Sequence, residues 1–391
     1  MGTNNSKIMI TLVIPSYNNL RHLKNVYASI KKHAPSAEII LLDDGSTDGS
    51  WEWIQQQDCV SFRSEDRVGH TILYDKGIDL ATNDIVGILH ADMIIGPLYI
   101  ENMLKHLQPG KVVCATRIEP PLHPEGNEKI IMDFGMDFDS LNISGFEQYC
   151  DELQNKFKDK TTKGMFAPWI LYKKDFQAIG GHDPLFAPFP YEDSDIFQRW
   201  ILAGYELIQS RDAFVYHLTC RGHRWTEQVG KDDDYFKQVS EKAGRNYLRK
   251  WGIWIENDEY QRPIITPKYN IAFRVENCSN DLLKLLEPFC DRIYSDADWM
   301  QYITLEQPNT LYDLTTRCHS LTDSDRYDYD DIVVEINGST FSHHDFNYIQ
   351  MLPKIIQQSG EPGMFALGNL TITIVTIKSY LEDLIELPAK K

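Results

Sequence analysis

An α/β fold, built on a mostly parallel sheet and followed by a smaller α/β unit, is the architecture this 391-residue sequence predicts. Three observations carry the expectation. Short apolar runs alternate with helical patterns up to about residue 115, the rhythm of strands that reach each other through helical crossovers. The runs are continuous rather than alternating, as in strands covered on both faces. Prolines at 263 and 267 interrupt the chain before a second series of apolar runs begins, which divides it into 1–260 and 261–391.

In order, Ile8–Ile14 reads as the first strand and Leu20–Lys32 as a helix whose apolar stripe is Leu23, Val26, Tyr27 and Ile30. Glu38–Leu42 is the second strand, ending in the acidic turn Asp43–Asp48, and a helix spans about 49–57. Val60–Arg63 is a short strand and His70–Ala81 a helix. Ile85–Leu89 is a strand that runs into His90-Ala91-Asp92. From Pro120 to about Lys163 loops dominate, with a helix near Gln148–Phe157. Regularity returns with a strand at Trp169–Tyr172 and a helix at Lys174–Ile179. A Gly180-Gly181 turn, a helix at 191–203, and short strands at Glu206–Gln209 and Ala213–His217 follow. A basic and aromatic stretch, Arg221, His223, Arg224 and Trp225, precedes an acidic helix at about 232–251. Beyond the prolines, Ile271–Val275, Ile332–Ile336 and Thr371–Ile377 are expected as strands, each followed by a helix. The pair His343-His344 with Asp345 reads as a solvated loop.

Bulk properties narrow the function classes. The 39 basic and 57 acidic residues give a net charge of −18, which disfavours nucleic acid and anionic lipid as partners. No apolar run approaches the roughly 20 residues a membrane span needs. Ile8–Ile14 is too short and lacks a cationic leader, so it is a strand and not a signal peptide. Met1–Ser6 reads as a polar tail, although it fits the loose myristoylation pattern. Seven cysteines without a C-x-x-C pair suggest reduced thiols in a cytoplasmic setting and argue against a disulfide frame.

Three acidic features carry chemistry. In sheets of this kind ligands bind beyond the carboxyl ends of the strands, where two of the three lie. Asp43-Asp44 can be a turn, or can offer a carboxylate to the ring N–H of a nucleobase. His90 and Asp92, two apart in extended structure, can converge on one divalent cation, or Asp92 can cap a helix. Glu192, Asp193 and Asp195 at a helix start can serve the helix dipole alone.

The order and spacing of these features resemble family-2 GT-A glycosyltransferases over roughly residues 8–225. Val13-Ile14-Pro15-Ser16-Tyr17-Asn18 looks like that family's first strand and turn, and Asp43–Asp48 is similar to its D-D-G-S-x-D motif. Arg67-Val68-Gly69 with Asp75-Lys76-Gly77 resembles its N-x-G…A-x-N-x-G run, with Asp75 in place of Asn. His90-Ala91-Asp92 stands at the D-x-D motif, and Gly180-Gly181-His182-Asp183 at G-G-F-D.

The resemblance implies a Rossmann-like GT-A domain that takes a nucleoside-diphosphate sugar, a UDP-sugar above all. It would transfer the sugar to a hydroxyl acceptor with inversion, with the help of Mn2+ or Mg2+. It implies Asp193 as catalytic base beside Glu192, and Asp92 and His217 as metal ligands. Pro15, Tyr17, Asp44, Lys76, His90, Ala91 and Arg224 would contact the donor. A catalytically silent sugar-nucleotide-binding protein and a nucleotidyltransferase are the alternatives. A nucleotidyltransferase would want a glycine-rich basic loop after the first strand, where this chain has Pro15–Asn19.

Overall fold

A computed structural model describes residues 9–221, 224–225, 228–326 and 330–387. The polar opening with the start of the first expected strand, and His223 of the basic stretch, lie outside the described residues. Two compact units are present: Met1–Val239 with Asn257–Pro263 and Glu386–Lys391, and Ser240–Glu256 with Ile264–Ile385.

The first unit begins β1 (Ile10–Ser16), α1 (Leu20–His33), β2 (Glu38–Asp43), α2 (Ser50–Ile54), β3 (Val60–Arg63), α3 (His70–Leu80) and β4 (Ile85–Ile88). β5 (Met93–Ile95), α4 (Tyr99–Leu104), β6 (Lys111–Glu119), β7 (Lys129–Ile131), α5 (Ile143–Phe157) and β8 (Thr161–Thr162) follow. The unit is completed by β9 (Trp169–Tyr172), α6 (Lys173–Ala178), α7 (Glu192–Leu202), β10 (Glu206–His217) and the first turn of α8 (Asp234–Trp251). Its sheet runs β3-β2-β1-β4-β9-β6-β10-β5, with β7 beside β6 and β8 beside β10. The first four strands are parallel, whereas β9 is antiparallel to both its neighbours and β5 is antiparallel to β10. The apolar runs are buried, and α1 lays Leu23, Val26 and Ile30 into the core.

Two expected short strands near 206–217 are one strand. β10 pairs with β6 in parallel throughout, but the pairing changes from Gln209 opposite Cys114 to Phe214 opposite Thr116. Three extra residues are accommodated in a bulge, and such an irregularity is what the polar Ser210-Arg211-Asp212 break in the apolar pattern reflects.

The second unit holds the rest of α8, then β11 (Ile271–Glu276), α9 (Asn280–Leu286), β12 (Arg292–Ser295), α10 (Trp299–Glu306), β13 (Cys318–Ser320) and β14 (Ile332–Asn337). It ends with α11 (His343–Gln350), α12 (Leu352–Ser359), β15 (Gly363–Leu367) and β16 (Leu370–Ile374). Its sheet order is β13-β12-β11-β14-β16-β15. The expected strand at 371–377 is shorter, and among the described residues only a single 3-10 turn, Glu382–Leu384, follows it. The strand closes an antiparallel hairpin with β15 instead. The expected loop at His343–Asp345 is the first turn of α11. Ser342 caps it, and the buried Asp345 returns the bond to the Ser342 backbone N–H, a reciprocal capping box.

Candidate active site

The carboxyl ends of β1, β2 and β4 open into a cavity of about 620 Å³, within the range of small-molecule sites. Pro15, Ser16 and Tyr17 line it where β1 ends. The acidic pair after β2 divides its labour. Asp43 is buried and accepts the Ser46 backbone N–H at 3.1 Å while facing Arg63 at 3.3 Å, so it builds the turn. Asp44 lines the cavity and accepts the backbone N–H groups of Val68 at 2.7 Å and Gly69 at 3.0 Å. Burial raises its pKa from the ordinary carboxylate value in spite of those bonds. Gly69 can have no side chain here: its φ is +88°, and a Cβ would meet the backbone of Pro188 at 2.2 Å. The Arg67 guanidinium lies 3.9 Å from the centre of the Tyr17 ring, a cation–π contact.

A second group forms deeper in the cavity. After β4 the chain turns through His90 and Asp92 into β5, so Asp92 caps no helix. Its Oδ2 accepts the Arg221 backbone N–H at 3.0 Å. His217, the last residue of β10, brings Nε2 to 3.6 Å from Asp92 Oδ1. Ligand atoms of His90, Asp92 and His217 all lie within 4.8 Å of one another. Two imidazoles and a carboxylate fit Mn2+, and they suit it better than Mg2+, which prefers oxygen alone. The other ring nitrogen of His217, Nδ1, is 3.1 Å from Glu119 Oε1.

The third group stands at the start of α7. Tyr191 caps the helix with φ of 81°, a left-handed conformation uncommon outside glycine, and places Glu192 and Asp193 on the cavity wall. Glu192 Oε1 is 2.5 Å from His70 Nε2 at the start of α3. Burial opposes charge on both, yet their pairing leaves the Glu192 carboxyl below its ordinary value and the His70 ring above its own. Burial and the Glu192 charge together push Asp193 up to about 7. Behind this group, Arg199 is fully buried and joins Asp195 Oδ2 (2.7 Å) to the carbonyls of Ile179 (2.9 Å) and Gly181 (2.5 Å). Asp75 of α3 accepts the backbone N–H of His182 at 3.1 Å, and its Oδ1 is 2.8 Å from the ring Nδ1.

Of the residues singled out from sequence, Pro15, Tyr17, Asp44, His90, Ala91, Asp92, Glu192, Asp193, His217 and Arg224 line this one cavity. Lys76 does not. It is exposed on α3 with its ammonium 5.0 Å from the Phe62 ring centre. Arg224 reaches the cavity while its guanidinium holds Asp232 at 2.6 Å. Sequence reasoning missed Arg117, Glu119, Glu128 and Lys129, whose buried charges interlock along the wall formed by β6 and β7. It also missed His70 and Tyr74.

Residues 11–178 match the family model described as Glycosyl transferase family 2. That stretch, less than half of the chain, is a family 2 glycosyl transferase domain. A curated relative, Glycosyltransferase GlyG of Streptococcus pneumoniae serotype 4 (strain ATCC BAA-334 / TIGR4), is 31% identical over 106 residues, 26% of this chain. The match spans 35% of that relative's length. Among solved structures, GalNAc-T7 with UDP, GalNAc and Mn2+ overlaps 66% of this chain and 49% of its own, with a TM-score of 0.45 and 15% identity. The mannosyltransferase PcManGT from Pyrobaculum calidifontis, with GDP-Man and Mn2+, overlaps 61% and 62%, with a TM-score of 0.41 and 16% identity. In this chain the family 2 match covers β1 to α6, and so includes Asp44, His90 and Asp92. Glu192, Asp193 and His217 lie beyond it.

Proposed function

We propose that the protein is an inverting glycosyltransferase that moves a sugar from a nucleoside-diphosphate donor, a UDP-sugar, to an acceptor hydroxyl. One observation carries the reading: Asp44, the His90–Asp92–His217 group and Asp193 converge on a single cavity, whose Asp44, His90 and Asp92 lie within the family 2 match. Asp44, with Tyr17 and Pro15 beside it, takes the base. The His90–Asp92–His217 group would hold a divalent cation that offsets the charge developing on the diphosphate.

The chain's own groups account for the proton. An acceptor hydroxyl is a poor nucleophile at neutral pH and needs a base within hydrogen-bond reach. Its oxygen attacks the anomeric carbon from the face opposite the leaving group as the bond to the phosphate oxygen breaks. The electron pair leaves with the diphosphate and the proton passes to Asp193. A carboxyl group pushed up to about 7 is matched to that duty. Glu192, held ionised by His70, contributes to that match through its charge. Arg221 and Arg224 line the same cavity, where their charge would offset that of the departing diphosphate. The net charge of −18 disfavours a nucleic acid acceptor, and seven unpaired cysteines suit a reducing, cytoplasmic compartment. Among the described residues no helix is long and apolar enough to cross a membrane.

The test is a panel of nucleotide-sugars assayed for Mn2+-dependent release of the nucleoside diphosphate, with and without candidate hydroxyl acceptors. Turnover of a UDP-sugar that EDTA abolishes supports the reading. Absence of turnover and of nucleoside-diphosphate binding across the panel overturns it.

A further inference from the structure

We infer that Glu119 is a positioning residue that sets which nitrogen of His217 is offered to a metal ion; this rests on the reading of His217 as a ligand. The placement begins with sheet register. After the bulge in β10, Val215 lies opposite Arg117 and Tyr216 opposite Ile118. One further step sets His217 beside Glu119, with both side chains on the cavity side of the sheet. Without the three extra residues, Phe214 would occupy that place, as the earlier offset of Gln209 to Cys114 shows.

The contact is specific about atoms. Glu119 Oε1 is 3.1 Å from Nδ1 of His217, while Nε2 faces Asp92 Oδ1 at 3.6 Å. A carboxylate can only accept, so the proton resides on Nδ1 and the lone pair of the neutral ring points from Nε2 toward His90 and Asp92. Glu119 has little freedom to do otherwise. It is 1% exposed, and its oxygens are taken by Arg117 Nη1 at 2.7 Å and Lys129 Nζ at 3.0 Å. Those cations hold the carboxylate still and ionised, so His217 is oriented before any ion arrives.

The experiment uses the full chain and Mn2+ alone, with free Mn2+ followed by its electron paramagnetic resonance signal. Glu119→Ala is expected to weaken Mn2+ binding by about 10–100-fold, the range for loss of such a supporting carboxylate. Glu119→Gln keeps an oxygen acceptor toward Nδ1 and is expected to stay within about threefold of the parent, a rescue that a merely structural role would not give. His217→Ala separates the two readings. If it weakens Mn2+ binding and Glu119→Ala does not, the role of Glu119 is overturned and the metal site stands. If neither changes binding, both fall. Should Glu119→Ala not fold, a histidine 15N spectrum of the parent protein with Mg2+, above the imidazole titration range, decides. A proton on Nδ1 of His217 supports the inference and a proton on Nε2 overturns it.

Discussion

Each unit buries a knot of charges, and the two knots are built to opposite ends. In the second unit, Glu287 is fully buried and receives Arg249 at 2.7 Å and 2.9 Å, Arg317 at 2.6 Å and the Tyr302 hydroxyl at 2.9 Å. Arg249 also reaches Glu306 at 2.7 Å. Burial alone would raise the Glu287 pKa, but Arg317 and Arg249 bring it down to about 2. The partners surround one another and none of them lines the cavity of the first unit. In that unit, Glu119, Glu128, Glu192, Asp193, Asp92 and His217 are also buried or nearly so, yet they face a cavity. Glu128 Oε2 and Glu192 Oε2 have no hydrogen-bond partner among the described residues. Closed charge clusters fix a core, whereas clusters left open on one side can bind and exchange protons.

The largest expected effect sharpens this contrast on the open side. Asp193→Asn should lower kcat by about 10²–10⁴-fold, the usual worth of a general base, while thermal unfolding stays near the parent value. A mutant with parental turnover would remove Asp193 from the role. On the closed side the effect should move to the other axis. Glu287→Ala leaves Arg249 and Arg317 buried without their carboxylate, and should cost about 3–5 kcal/mol of stability in a denaturant titration. Parental stability would mean that the second knot is not load-sharing.

A smaller effect concerns pH. As a base, Asp193 works only when ionised, so kcat/KM should rise with pH through about 7 and be lost below it. The Glu192 charge is one of the causes that raise Asp193, so Glu192→Gln should move that rising limb to lower pH. A limb that stays in place, or moves up, would show that the Glu192 charge does not raise Asp193. The smallest effect is expected at Lys76, which lies outside the cavity. Lys76→Ala should change the donor KM by less than about twofold, as a surface substitution does.

Much of the site was legible because its residues stand where apolar runs stop. Asp44 and His90-Ala91-Asp92 follow buried strands, and Asp193 opens an amphipathic helix, so strand and helix ends could be read directly. Glu119 could not be found this way. It closes a strand just before a region that reads as loop, and its partner His217 is set by a register change whose local mark, the polar Ser210-Arg211-Asp212 break, does not say how far the pairing shifts. Two departures from the family pattern have a joint explanation that neither shows alone. Asp75 replaces Asn and His182 replaces Phe, and the two side chains bond each other across 107 residues. The fold of the first unit was legible as far as helical crossovers were regular. The antiparallel β9 and the β15–β16 hairpin were not, because pairing direction depends on where a chain returns and leaves no trace in residue type.

The buried Arg199 has a consequence for how such a protein can diversify. Its guanidinium ties the helix that bears Asp193 to the Gly180-Gly181 turn, and that turn is tied through His182 to the helix that bears His70. Asp193, Glu192 and the helix that bears His70 therefore share one frame. The stretch from Pro120 to Phe166 borders the same cavity without belonging to that frame. Under the proposed function, substitutions there would retarget the acceptor while the frame around Asp193 keeps its dimensions, so new specificities would accumulate in these loops without first rebuilding that frame.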